Sequence, residues 1–309
     1  LDIDRKTSKS ELRGMMKEIA ETGREVLTEG ESKEVLRSYG IPSPEIKIAE
    51  SPDEAAEIAS DLGFPVVLKI HSYDITHKSH VGGVELDLES EGEVREAYDK
   101  IMERVGETRP SAKLEGVSVQ RMIKGSNIEL ILGSNKDNTF GSTVMFGRGG
   151  TDVEYYEDTA IGLPPLNQTL ARNLMGETKV YNKLKDIYGE SSPEIRKLEE
   201  YLVRLSQLIV DFPEIDELDI NPLSGLDDDF VALDARIIID KDLTLGEPDP
   251  EQHLVIKPYP QEYVEEWEME DGTPVTLRPI RPEDEPLLLD LFETFSAETW
   301  RYRFFGPVR

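Results

Sequence analysis

The chain has 309 residues, 64 acidic and 35 basic, for a formal net charge of −29. That balance argues against nucleic acid as a partner, because phosphate backbones are held by basic surfaces; a solvated acidic surface is the ordinary reason for it, a saline or hot habitat the other. Zero cysteines exclude disulfides, thiolate metal sites and a cysteine nucleophile. With 38% hydrophobic residues, a folded protein of about two domains is expected. There is no membrane-length apolar run and no signal-peptide pattern, so a cytoplasmic location and no membrane partner are expected.

Ser10 to Arg24 carries Leu12, Met15, Met16, Ile19 and Ala20 at helical spacing. Thr28-Glu29-Gly30-Glu31 resembles a capping box, opening a second helix that stops near Gly40-Ile41-Pro42. A short strand is expected around Glu45 to Ala49. Ser51-Pro52-Asp53-Glu54 then supplies an N-cap serine, a proline at the first helical position and a glutamate at the third, and Gly63 stops that helix. Val66 to Ile70 reads as a buried strand and Val84 to Leu88 as an alternating one, with a loop between them. Ser90 with Glu93 caps a helix carrying Val94, Ala97, Tyr98, Ile101 and Val105. From Gly116 strands dominate: Val117 to Ile123, Ile128 to Gly133 and Ser142 to Phe146, separated by Lys124-Gly125-Ser126 and by the turn residues Asn135-Lys136-Asp137-Asn138. A glycine-rich loop follows at Phe146-Gly147-Arg148-Gly149-Gly150, then a long amphipathic helix from Pro193 to Val210, then strands around Asp219 and Leu233. Helices interleaved with such strands indicate α+β rather than a doubly wound sheet. Gly246 to Pro250 and Lys257-Pro258-Tyr259-Pro260 have linker chemistry, and Val275 to Arg281 and a helix-like Leu287 to Phe295 lie beyond.

Three of the four histidines, His71, His77 and His80, fall in ten residues, with Lys69, Lys78, Gly82 and Gly83 beside them. Lysine charge, bare glycine N–H groups and an imidazole able to accept a phosphoryl group suit phosphate handling; an exposed polar loop is the plainer reading. Lys69, at the inner end of an apolar strand, can reach a phosphate or snorkel to the surface. Glu129 is the one carboxylate of an apolar strand, fit for ribose hydroxyls or for solvent. Along Glu217-Leu218-Asp219-Ile220-Asn221, side chains alternate, so Glu217, Asp219 and Asn221 share a face. In a symmetric hairpin with Phe230 to Ile237, Asn221 lies opposite Asp234, and Asp219 opposite Arg236. Neighbouring asparagine and aspartate oxygens suit magnesium; a cross-strand ion pair with an asparagine turn suits the pattern equally.

Taken in order, Thr28 to Pro42, Val66-Val67-Leu68-Lys69, Thr76-His77-Lys78, Val81-Gly82-Gly83-Val84, Glu129 to Gly133, Phe146 to Gly150, Glu217 to Leu223 and Leu233-Asp234-Ala235-Arg236 resemble the ATP-grasp part of NDP-forming acyl-CoA synthetases, relatives of succinyl-CoA synthetase. The resemblance implies an ATP-grasp fold over residues 1–245. Its subdomains would be about 25–115 and 116–245, with a linker at 246–262. It implies ATP/ADP and Mg²⁺ as cofactors, with Lys69, Gly82 and Gly83 at the phosphates. Gln120, Met122 and Ile123 would receive the adenine, Glu129 the ribose, and Asn221 and Asp234 the magnesium. His77 matches a histidine that carries a phosphoryl group. The reaction implied interconverts acyl-CoA, ADP and phosphate with the free acid, CoA and ATP. CoA would be met only through a partner: a CoA-binding (alpha) subunit or N-terminal domains outside this chain. An oligomer is expected, acting on a small carboxylic acid and phosphate.

Two positions depart from the family: His80 stands where an acidic residue is usual, and Gly162 where an arginine is. Residues 263–309 resemble the first strand and helix of a GNAT acetyltransferase, without that family's pyrophosphate loop. The tail favours a second reading, a nucleotide- or acyl-CoA-sensing module of a fused lysine acetyltransferase. A third, a carboxylate–amine ligase, gives His77 no role.

Overall fold

The computed structural model describes residues 7–75, 78–123, 128–150, 158–226, 229–246 and 253–304. The chain divides into two compact units, Leu1–Val255 and Ile256–Arg309.

In the first unit, α1 (Lys9–Glu21) and α2 (Glu29–Ser38) lead into β1 (Ile46–Ala49), α3 (Pro52–Leu62), β2 (Val66–Ile70), β3 (Val84–Leu88), α4 (Glu91–Thr108) and β4 (Val117–Arg121). The cap chemistry read from sequence forms: Thr28, Ser51 and Ser90 each accept from the N–H three residues on, and Thr28 with Glu31 closes a full capping box. β1, β4, β2 and β3 make one sheet in that order, every pairing antiparallel. α3 and α4 bury Ala55, Ala56, Ala59, Val94, Ile101 and Val105 against Val66, Leu68, Ile70, Val117 and Val119.

The second sheet takes β5 (Glu129–Asp137), β6 (Gly141–Arg148), β7 (Thr159–Gly162), β8 (Ile215–Gly225), β9 (Phe230–Ala232) and β10 (Arg236–Ile239) in the order β10-β8-β5-β6-β7, with β9 also on β8. Its pairings are all antiparallel, so the α+β expectation holds and a doubly wound parallel sheet is excluded. The helices α5 (Gln168–Gly176), α6 (Lys179–Tyr188) and α7 (Pro193–Asp211) share its core, and a short α8 (Lys241–Leu245) ends the unit's helices.

Three sequence expectations change here. Asn135 to Asp137 are not a turn: they extend β5, paired with Thr143 to Gly141 of β6. β4 lies in the first sheet, because β1 and β2 each need it as neighbour, so the physical division falls after Arg121 rather than at 115. The segment holding Leu27, Val35, Leu36, Tyr39 and Ile41 packs on the second core, not the first. α2 therefore stands at the junction of the two sheets.

The second unit has a hairpin of β11 (Glu265–Glu268) and β12 (Pro274–Leu277), then α9 (Glu285–Glu293) and α10 (Ala297–Phe304). Phe292, Phe295 and Trp300 meet edge to face or tilted, and Arg278 holds Asp284 at 2.6 Å.

Candidate functional site

The site is organised around a carboxylate that the sequence reading passed over. Glu29, at the start of α2, is buried, and three lysines converge on it. Lys33, one turn on, donates to Oε1 at 2.8 Å; Lys69, from β2, donates to the same oxygen at 2.7 Å; Lys78 pairs with Oε2. Lys33 also donates to Gln120 Oε1 of β4 (2.9 Å), and Lys33 and Lys69 both donate to the Leu233 carbonyl, at 2.8 and 3.0 Å. One cluster thus joins α2, both central strands of the first sheet, and the β9–β10 connection of the second.

Electrostatics follow from that crowding. Burial would push Glu29 up, but Lys69, Lys33 and Lys78 outweigh it and hold the carboxyl well below its usual range. Burial pulls Lys33 down to about 8, opposed by Glu29 and reinforced by Lys69. Burial also opposes charge on Lys69, yet Glu29 and Asp234 hold its ammonium above the ordinary lysine value.

The hairpin expectation is met in register and broken in continuity. Arg236 faces Asp219, and Leu223 faces Ala232. Both ladders share one register, which sets Asn221 opposite Asp234 where neither ladder continues. The interruption spans Leu233 to Ala235, held by Leu233 N–H to the Pro222 carbonyl (3.0 Å), and it turns the Leu233 carbonyl to the lysines. Burial lifts Asp219 to about 6, Arg236 opposing and Asp234 and Glu217 adding to it. Carboxylates here accumulate faster than cations, so the oxygen set fits a hard divalent ion that keeps water and phosphate ligands. Among the described residues no three His, Asp or Glu side chains form a metal cage.

Glu129 begins β5 and meets the glycine-rich loop. Gly150 has φ +93°, and a Cβ there would stand 2.2 Å from Glu129 Oε2; its N–H donates to Asn221 Oδ1 at 2.8 Å. Gly149 donates to the Glu129 carbonyl, and an added Cβ would lie 2.3 Å from the Leu130 carbonyl oxygen. Gly149→Ala is therefore expected to cost about 1–3 kcal/mol and to displace Gly150 from Asn221, checked by thermal unfolding beside a nucleotide titration.

The bare N–H groups read into Gly82 and Gly83 are not bare. Gly82 donates to the Ser79 carbonyl (3.1 Å) and Gly83 to that of Lys78 (2.8 Å). These glycines serve geometry: φ +67° at Gly82, and at Gly83 a close approach that would put a Cβ 2.5 Å from Ile70. Met122 donates its N–H to the Pro65 carbonyl, and Ile123 follows it, both partly buried. The three histidines separate. His71 packs edge-on to Tyr73, burial lowering its pKa; His80 is exposed on a short 3₁₀ turn; His77 lies outside the described residues. Asp158 caps α6 through the Lys179 and Val180 N–H groups, and Gly162 ends β7.

The clue to Glu29 and Lys33 was available. Positions 29, 32, 33 and 36 form the inner stripe of α2, and three of the four are polar. A Glu–Lys pair one turn apart normally faces water, which hid it.

Comparison with known proteins places this geometry. Residues 18–239 match the ATP-grasp domain family. The β subunit of ADP-forming acetate–CoA ligase I from Pyrococcus furiosus is 39% identical over 213 residues, covering 69% of this chain and 91% of that subunit. A structure of acetyl-coenzyme A synthetase 1 from Ca. Korarchaeum cryptofilum, in complex with coenzyme A and Ca-AMPCP, superposes with a TM-score of 0.70 at 40% identity, over 74% of this chain and 99% of that one. Another structure of that enzyme holds Mg-AMPPCP with a phosphohistidine segment pointing towards the nucleotide-binding site; its TM-score is 0.63 at 37% identity, over 74% of this chain and 100% of that one.

Proposed function

This chain belongs to the ATP-grasp family as the β-subunit type of ADP-forming acyl-CoA synthetase, an acid–thiol ligase, and from that premise we propose how its residues divide the work. The observation that carries the reading is the hydrogen bond from Lys69 to the Leu233 carbonyl, which sets the strand lysine of one sheet one residue from Asp234 on the other.

Lys69 offsets phosphate charge, Glu129 accepts from the ribose, and Gln120, Met122 and Ile123 line the adenine side. Asn221 and Asp234 would hold Mg²⁺, which would supply further charge neutralisation on the phosphate oxygens. A histidine nitrogen, that of His77 or of a segment brought by the partner, attacks the γ-phosphorus. The bond from that phosphorus to the bridging oxygen breaks, and ADP leaves with the electron pair. The protein's share is positioning and electrostatics. A CoA-binding α subunit, or equivalent fused domains, takes the phosphoryl group onward to the acid and CoA; acetate is the first acid to test. A sensing role for the nucleotide site finds no support among the relatives.

The test is to incubate the chain with γ-labelled ATP and magnesium, with and without the CoA-binding subunit. Acid-labile, base-stable label is expected on the protein and is lost in His77→Ala. Label that persists in His77→Ala moves the carrier elsewhere; ADP release without any protein label overturns the histidine route.

A further inference from the structure

Three ammonium groups share one carboxylate, and the use of their N–H groups separates them. An ammonium has three donors. Lys33 uses all three, on Glu29, Gln120 and the Leu233 carbonyl, and its side chain is 0% exposed. Lys69 uses two, on Glu29 and Leu233. Lys78 uses one, on Glu29 Oε2, and is the most open of the three, its side chain 14% exposed. Among the described residues no other acceptor meets Lys69 or Lys78.

Three positive charges face two negative ones, Glu29 and the nearby Asp234, which leaves a surplus, and the unused donors sit on Lys69 and Lys78. We propose that Lys78 is a second phosphate-binding cation beside Lys69, that Glu29 is the anion holding both in place, and that Lys33 is a brace that meets no ligand. This rests on the reading of Lys69 as the nucleotide-phosphate lysine. Two ammonium groups joined through the two oxygens of a single carboxylate suit neighbouring phosphate groups, so the ligand class is a nucleoside di- or triphosphate. A monophosphate engages one of them at most. Glu29 is then a positioning residue: it acts through the lysines and touches no substrate.

Calorimetric titration of the full chain with MgAMPPCP, MgADP and AMP tests the assignment in wild type, Lys78→Met, Lys78→Arg, Lys33→Met and Lys69→Met. Lys78→Met is expected to weaken MgAMPPCP and MgADP about 10–100-fold, the worth of one charge-assisted hydrogen bond, with AMP changed by less than about 3-fold. Its unfolding midpoint should fall by less than that of Lys33→Met, because Lys33 and Lys69 still hold Glu29, and Lys78→Arg should restore most of the affinity. Lys33→Met should lower the unfolding midpoint more and leave all three nucleotides bound nearly as in wild type. A purely structural Lys78 would weaken all three nucleotides alike, and that result overturns the proposal. If Lys69→Met loses polyphosphate binding and Lys78→Met keeps it, this assignment is wrong and the reading of Lys69 stands. If neither variant changes affinity, both are wrong. Should Lys78→Met fail to fold, Lys78→Gln gives the same comparison.

Discussion

Glu29→Ala is expected to destabilise the first unit by about 3–5 kcal/mol, among the largest effects of any single substitution in this chain. The change leaves the Lys33 and Lys69 ammonium groups buried with their counter-ion gone and Lys78 without its acceptor. Coulomb attraction that offset their desolvation turns into mutual repulsion. Urea unfolding at pH 7 measures the loss, and Glu29→Gln separates charge from shape.

The pH dependence has a fixed sign. The Glu29 carboxyl titrates lower in the folded chain than in the unfolded one, where a glutamate sits near about 4.3. Its contribution is present above that value and disappears as pH falls through the folded pKa. The stability gap between wild type and Glu29→Gln should therefore hold from neutral pH to about 5, begin to narrow as pH drops below the unfolded glutamate value, and close only as pH falls through the lower folded one. A gap that stayed open at low pH would mean that packing, not charge, holds the junction.

The second large effect falls on chemistry. Lys69→Met, close in length and without charge, should lower nucleotide-dependent turnover with the CoA-binding subunit by about 10²–10³-fold, the usual result of deleting one preorganised charge-stabilising group. Part of that loss should already show in MgAMPPCP affinity. Lys69 is suited to the role because Glu29 and Asp234 keep it protonated despite burial. Lys69→Arg should not rescue turnover: a planar fork does not reproduce a compact ammonium already bonded to Glu29 and the Leu233 carbonyl. Unchanged turnover in Lys69→Met would remove this lysine from the mechanism.

Local signals carried much of this architecture. Ser51 with Pro52, Thr28 with Glu31, and Ser90 with Glu93 are chemical decisions made within four residues, and each formed as read. Val66–Ile70 and Val84–Leu88 were legible because burial and alternation fix strand identity locally. The pair α5 and α6 was missed although Asn167 and Thr178 cap both helices, because nine and ten residues make fewer than about three turns, too few for a period to stand out. What sequence could not reveal is which sheet a strand joins. β4 reads as the start of the second subdomain, yet pairing with β1 and β2 claims it for the first.

The candidate site divides in the same way. Residues that share a face of one strand, Asp219 and Asn221, could be placed by alternation alone. The Glu29 cluster could not, since it exists only once α2 packs on one core and β2 comes from the other.

The break between β9 and β10 has a consequence for how the chain tolerates mutation. The acceptor shared by Lys33 and Lys69 is the backbone oxygen of Leu233, freed because the ladder skips a rung there. No side-chain replacement deletes a carbonyl. Drift at position 233 can alter packing, yet two of the five hydrogen bonds that anchor Lys33 and Lys69 are invisible to point substitution and are lost only when an insertion or deletion shifts the hairpin register. Chain length between Pro222 and Arg236, more than residue identity, is the inherited constraint on this part of the site.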